Sequence, residues 1–263
     1  MPEPGRLPGR LHGRLHGRLH GRVALVTGAA RGIGAGIAAA LVAEGADVAL
    51  LDVLGDQAAA RAASLPGPGR AWAVPADLRD PGQVRVAVDA TAARHGRLDI
   101  VVNNAGVFRS TPLLDISVDE WQLLFDVNVR SFLLTTQAAA PHLAAAPAGR
   151  IVNLASMGGK VGEPGQAHYA ASKAAVIALT RVAAMELGPA GVTVNCICPG
   201  YVATDMGATD RTPEQVAAWS QLSPLGRIGT PDDVARMAVF LASDDAAYCT
   251  GQAFNVTGGM IMH

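Results

Sequence analysis

Short apolar runs recur along the chain, and the segments between them carry apolar residues at helical spacing. Val23–Thr27 (VALVT) runs unbroken into a glycine-rich turn, the pattern of a strand buried on both faces of a parallel sheet. Ile33–Glu44 then reads as an alanine-rich helix closed by Gly45. Asp47–Leu51, Arg70–Val74 and Leu98–Val102 predict three more strands, with helices over Gln57–Ser64 and Gln83–His95 between them. A long helix is expected over Val118–Leu143, interrupted or ended near Pro141. Arg150–Leu154 and Val192–Cys196 predict strands five and six around a helix at Ala167–Leu187. Pro231–Leu241 opens as a helix on its proline, and Gln252–Val256 closes the sheet. Residues 199–230 are rich in Gly, Pro, Thr and Ser and too long for an ordinary connection, which points to a loop over a substrate. Strand and helix alternating throughout predict one α/β domain over residues 19–263, built on a doubly wound parallel sheet.

The N-terminus departs from this pattern. Residues 6–21 read RLPG RLHG RLHG RLHG. Glycine at every fourth position costs a helix roughly 1 kcal/mol per turn, and the apolar stretch of a secretory signal is missing. Residues 1–18 are therefore expected to be a disordered leader, a duplication of the unit before the first strand or the product of a start codon set too far upstream. His12, His16 and His20 offer weak chelation at most, so no metal site is expected.

Composition narrows the function classes. Half of the 263 residues are hydrophobic and 16% are charged, which excludes a disordered chain. The net charge of −1 argues against a nucleic-acid partner held through phosphates. Residues 1–22 carry five Arg and one Glu, so the body behind them is mildly acidic. No run of about 20 apolar residues goes uninterrupted, so no membrane span is expected and a cytoplasmic protein is the default. Cys196, Cys198 and Cys249 lack CxxC spacing and are odd in number, as expected of reduced thiols.

The chemistry begins at Thr27–Gly34, TGAARGIG. Between a strand and a helix, such glycines permit a tight turn and close approach of backbone to a pyrophosphate, while the helix N-terminus offers free N–H groups. Without a ligand the same residues would be only a tight connection. Asp52 ends the second strand, 18 residues beyond Gly34. A carboxylate there accepts both ribose hydroxyls of NAD and repels the 2′-phosphate of NADP; its other use is as a helix N-cap. Arg31 pulls the other way, since a guanidinium in this turn pairs with a 2′-phosphate. The balance favours NAD over NADP. Tyr169 and Lys173, four apart, share a helix face. A phenol with a pKa near 10 is a poor base at neutral pH. Lowering it by about 3 units takes roughly 4 kcal/mol of phenolate stabilisation, which an ammonium one turn away and a nicotinamide cation could supply. In isolation YxxxK is a common chance spacing.

Taken together, TGAARGIG, Asp52, Asp77, Asn103-Asn104-Ala105-Gly106, Asn128, Ser156, Tyr169-Ala170-Ala171-Ser172-Lys173 and Pro199-Gly200 with Thr204 closely resemble the short-chain dehydrogenase/reductase family over residues 19–263. The resemblance implies a Rossmann-type fold and hydride transfer between a nicotinamide and a carbonyl/alcohol pair. It implies Tyr169 as general acid/base, Ser156 orienting and polarising the substrate oxygen, Lys173 on the nicotinamide ribose and lowering the Tyr169 pKa, and Asn128 holding a proton-relay water. For the cofactor it implies Gly28, Arg31, Gly32, Ile33 and Gly34 at the phosphate turn, with Asp52 at the ribose. Asp77 and Leu78 would lie at adenine, Asn104, Ala105 and Gly106 beside adenosine, and Pro199, Gly200, Val202 and Thr204 over nicotinamide. A homotetramer built on the two long helices and the last strand is implied as well.

The C-terminal run Ala247–His263 is similar to certain polyol dehydrogenases of that family. The expected pocket segments, Val107–Arg109, Met157–His168 and Tyr201–Trp219, carry Arg109, Lys160, Glu163, Gln166 and His168, polar enough together to bind hydroxyls, though each taken singly reads first as solvated surface and His168 need not be catalytic. The leading expectation is thus an NAD(H)-dependent oxidoreductase interconverting a secondary alcohol and a ketone, with a polyol or small cyclic alcohol as candidate substrate. The alternative is an NADPH-dependent 3-oxoacyl-thioester reductase, which Arg31 keeps open. A non-catalytic dinucleotide sensor is a third reading, opposed by the complete set of catalytic residue types.

Overall fold

Seven strands form a single sheet in the computed structural model, which describes residues 17–204 and 212–263. They are β1 (Val23–Thr27), β2 (Asp47–Asp52), β3 (Ala71–Pro75), β4 (Ile100–Asn103), β5 (Arg150–Leu154), β6 (Thr193–Pro199) and β7 (Ala253–Val256). The order is β3-β2-β1-β4-β5-β6-β7 and every pairing is parallel. Helices α1 (Gly32–Ala43), α2 (Gly55–Ser64), α3 (Pro81–His95), α4 (Val118–Phe125), α5 (Ser131–Ala145), α6 (Ala167–Leu187), α7 (Pro213–Leu222) and α8 (Pro231–Ala242) complete the expected doubly wound α/β domain.

Both faces of the sheet are covered, which explains the unbroken apolar runs. Val48 and Leu50 of β2 join the cluster under α1, α2 and α8, whereas Ala49 and Leu51 join the one under α3, α5 and α6. Each strand residue thus buries its side chain on one side or the other. From β1 the chain passes to β2 on one flank, and β4 lies on the other. The carboxyl ends of β1 and β4 therefore border the crevice where an open α/β sheet binds ligands.

Two elements differ from expectation. The helix after Val118 is broken by a π-helical turn at Asp126–Arg130, which separates α4 from α5, and not by Pro141. Proline removes one bond from α5, yet burial of Ala138, Ala139 and Leu143 holds the last turns together. Within the segment 199–230, α7 forms behind a capping box. Thr212 accepts the Gln215 N–H, and the Gln215 side chain accepts the Thr212 N–H. The Thr-Pro-Glu-Gln signal for it was present in the sequence. The stretch 205–211 of the expected substrate loop lies outside the described residues.

Residues 1–16 of the expected leader also lie outside the described residues. The last repeat unit is packed: Arg18 pairs with Glu44 at 2.7 Å, and Leu19 is fully buried in the core under α1 and α8. Leu19→Ala is expected to destabilise the protein by about 2–5 kcal/mol, the range for a fully buried leucine. Urea unfolding measures this; a loss well under 1 kcal/mol would show that this unit is dispensable to the core. Among the described residues no helix is long and apolar enough to cross a membrane, and no cluster of side chains could hold a metal ion. The three cysteines are unpaired.

Candidate active site

At the end of β1, Gly28 and Gly32 adopt positive φ of 63° and 60°, values that disfavour any residue with a side chain. A Cβ on Gly34 would lie 2.2 Å from the Gly28 carbonyl oxygen, so glycine is required for α1 to press against the turn. Around Gly32 the nearest atoms to such a Cβ are those of Thr204, at 3.8 Å and beyond. That gap lies directly over the α1 N-terminus, whose first N–H groups have no partner within the helix. The cradle fits a dinucleotide pyrophosphate, with Ile33 in the first turn of α1.

Thr27, first residue of the motif but not among the expected cofactor residues, fastens this turn to the next. Its hydroxyl oxygen accepts the N–H groups of Asn104 and Ala105 at 3.0 and 3.1 Å. The Asn104 amide in turn donates to the carbonyls of Thr27 and Gly28 at 2.9 and 3.0 Å. Asp52 is only 9% exposed, and both its oxygens are engaged: one accepts the Ala30 N–H and the other the Leu54 N–H, each at 3.0 Å. It braces the glycine turn against β2. Arg31, by contrast, is exposed at the N-cap of α1 and makes no side-chain capping bond. Asp77 is gripped by Arg79 at 2.7 Å, which holds its carboxyl below the usual range, and Leu78 is buried in the core.

Ser156 follows β5 and caps a short 3-10 turn, its hydroxyl oxygen accepting the Gly158 N–H at 3.0 Å. Tyr169 and Lys173 lie on the first turns of α6 as expected. A Cβ built on Gly158 would meet Ser156 Oγ at 3.4, Tyr169 Cε1 at 3.6 and Gln166 Oε1 at 3.7 Å, so three side chains converge there. Burial pushes the Tyr169 phenol above its ordinary pKa, with the Ser156 hydrogen bond opposing the shift. Lys173 is 4% exposed and donates to the Leu154 carbonyl at 2.9 Å. Its ammonium lies 5.8 Å from the Tyr169 ring centre, and burial lowers its pKa to about 8. The chain alone therefore does not favour a phenolate.

Asn128 sits in the π-helical turn, a feature frequent at functional sites. Its amide spans three segments, accepting the Val107 N–H at 2.8 Å and donating to the Val107 carbonyl and Ser172 Oγ at 3.0 Å each. Ser172 Oγ then donates to the Tyr169 carbonyl at 2.7 Å, a link the sequence reading did not assign. A Cβ on Gly106 would come within 3.4 Å of both Asn128 Oδ1 and Lys173 Nζ, which places this loop against the catalytic candidates. On the far side of the crevice, Gly200 bonds to Val256 and Val202 is buried beside Gly229. Pro199 ends β6.

The polar side chains that suggested a hydroxyl-rich substrate are engaged by other parts of the chain. Lys160 donates to the Ala253 and His263 carbonyls and to Asn255 at 3.0, 3.2 and 2.8 Å. His168 is fully buried against Glu120 at 3.0 Å, and that carboxylate also takes the Thr111 hydroxyl. Arg109 is exposed and bends back to the Phe108 carbonyl. Two aromatic pairs lie beside these groups: Phe108 meets the Tyr169 ring edge-on at 5.0 Å, and Tyr201 stacks on Trp219 of α7 at 4.4 Å.

A family model described as enoyl-(acyl carrier protein) reductase matches residues 28–261. The chain is 43% identical over 195 residues to a 3-oxoacyl-[acyl-carrier-protein] reductase of Synechocystis sp., covering 74% of this chain and 77% of that protein. A Staphylococcus aureus protein of the same name is 41% identical, with 73% and 77% covered. One from Thermotoga maritima is 37% identical, with 74% and 79% covered. In structure the chain is similar to a short-chain type dehydrogenase/reductase from Mycobacterium marinum, with a TM-score of 0.88 at 35% identity over 93% of this chain and 97% of that one. These relatives overturn the expected NAD-linked dehydrogenase of secondary alcohols or polyols and favour the alternative stated beside it. The expectation of NAD falls with it. It had rested on Asp52 offering a free carboxylate to ribose, and that carboxylate is tied to Ala30 and Leu54. The Rossmann-type sheet, the glycine cradle and the Ser156–Tyr169–Lys173 cluster agree with these matches: the chain belongs to the short-chain dehydrogenase/reductase family.

Proposed function

We propose that this chain uses NADPH to reduce the 3-oxo group of an acyl thioester of the kind carried by an acyl carrier protein. The similarity to proteins of that name carries the reading. The aromatic side chains of Phe108, beside Tyr169, and of Tyr201 and Trp219, stacked on each other, support it, since they suit an acyl chain better than a polyol. Gly28, Gly32, Ile33 and Gly34 would hold the pyrophosphate and Arg31 the 2′-phosphate, with Ala105 and Gly106 lining the crevice and Pro199, Gly200, Val202 and Thr204 closing it. Bound NADPH supplies the hydride. Ser156 would donate a hydrogen bond to the ketone oxygen, and Tyr169 would deliver the proton to it. A phenol whose pKa is raised stays protonated at neutral pH, the form a general acid needs in this direction. Lys173 would hold the ribose, and Asn128 would fix the loop beside it.

The test compares NADPH with NADH in the reduction of an acetoacetyl thioester, followed by nicotinamide absorbance. NADPH is expected to give the higher kcat/KM. Arg31→Ala should lower that value about tenfold for NADPH and little for NADH, the size of one charge-assisted hydrogen bond. A native preference for NADH overturns the cofactor assignment.

We further propose a homotetramer in the cytoplasm. Val118 of α4, Leu133 of α5 and Val182 and Met185 of α6 expose 40–81% of their surfaces, as an interface would require. The free thiols suit a reducing compartment. Sedimentation as a monomer at micromolar concentration would refute the tetramer.

A further inference from the structure

Glu163 lies between the catalytic candidates and α7, and neither the catalysis nor the cofactor cradle uses it. One carboxylate oxygen accepts the Tyr201 hydroxyl at 2.8 Å, and the other accepts Gln166 Nε2 at 2.6 Å. A backbone bond from Gln166 N–H to the Glu163 carbonyl at 3.2 Å closes the turn between them. Both side-chain donors are neutral, and among the described residues no Lys, Arg or His forms an ion pair with Glu163. Among the described residues, then, no cation lies within ion-pair distance of this charge. One consequence is visible in Tyr201, whose pKa burial and this carboxylate together push up to about 12.

The bond to Glu163 also decides which way the Gln166 amide points. A carboxylate 2.6 Å away requires the NH₂ end, so the carbonyl end turns toward the point where Ser156 and Tyr169 converge. A fixed acceptor thus faces the reacting centre, with the negative charge of Glu163 directly behind it. In a 3-oxoacyl group held with its ketone at Ser156 and Tyr169, the acid carbon lies only two bonds from the reacting carbon. As a thioester that end is neutral; as a free acid it is an anion brought up to Glu163.

We propose that Glu163 is a specificity-determining residue that admits the neutral thioester and turns away the free 3-oxo acid. This rests on the 3-oxoacyl reading above. The experiment compares acetoacetate with two neutral substrates, its ethyl ester and its N-acetylcysteamine thioester, under NADPH. Wild type should prefer the neutral pair, and added salt should weaken that preference as it screens the charge. Glu163→Gln should raise the acid-to-ester ratio of kcat/KM about tenfold, on the order of what one unit charge contributes through a medium between protein and water. The gain should appear mainly as a lower KM for acetoacetate. Tyr201→Phe keeps the charge while losing the hydroxyl, and should leave the ratio unchanged.

A ratio indifferent to both Glu163→Gln and salt overturns the proposal, as does equal loss on acid and ester. Should the variant fail to fold, the salt dependence of wild type decides. Dissociation constants from quenching of tryptophan emission give the same ratio without turnover. A chain that leaves the thioester unreduced therefore refutes the reductase reading, while the binding ratio still judges Glu163.

Discussion

Tyr169→Phe is expected to lower kcat/KM for the thioester by about 10²–10⁴-fold, the usual contribution of a positioned general acid. Phenylalanine keeps the ring that meets Phe108 edge-on and removes only the hydroxyl near Ser156. NADPH affinity and the melting temperature should therefore stay close to those of wild type. Single-turnover kinetics with NADPH prebound separate the chemical step from binding. Activity within tenfold of wild type would show that Tyr169 is not the acid. Loss of cofactor affinity alone would assign it a binding role.

The second large effect concerns the pH dependence of stability at Lys173. Its pKa falls from 10.5 to about 8 in the folded chain because burial disfavours the ammonium. A base whose folded pKa is depressed binds its proton more weakly when folded, so below pH 8 the buried charge costs stability. As pH rises from 8 to 10.5 the unfolded chain holds more protons than the folded one, and the penalty disappears. The ligand-free wild type should therefore gain on the order of 2–3 kcal/mol relative to Lys173→Met across that window. Denaturant unfolding of the pair at several pH values, without cofactor, measures the difference. A constant difference would mean that the lysine is not desolvated. Lys173→Met should also be nearly inactive, because it removes the group assigned to the ribose.

Much of the candidate site was legible because its chemistry is written in local spacing. A strand followed by TGAARGIG requires positive φ at Gly28 and Gly32 and close packing at Gly34, and the structure has all three. Four residues place Tyr169 and Lys173 on one helix face whatever surrounds them. Ser156 and Asn128 were harder, because their relevance depends on segments far apart in sequence. Asn128 is tied to Val107 and to Ser172, 44 residues away, and no periodicity encodes that. What spacing could not show is partnership. Asp52, Lys160 and His168 are polar residue types able to meet a ligand, and each is also held by backbone or side chains that the chain brings in from elsewhere.

The doubly wound sheet followed from the linear pattern of apolar positions, since a strand buried on both faces has to read as an unbroken apolar run and its crossover helix as a periodic one. The same pattern carried the glycine cradle and the Tyr–Lys pair, which are set within a few residues of each other. Which polar side chains remain available to a substrate was a question of long-range partnership. Charge and hydrogen-bonding capacity are spent on whichever group lies within about 3 Å, and only folding decides that neighbour. The polyol and NAD expectations, which the relatives overturned, had drawn on the charge and polarity of such side chains. Glu163, one polar residue among several in the sequence, emerges as a carboxylate without an ion-pair partner among the described residues, linked to the catalytic residues through Gln166.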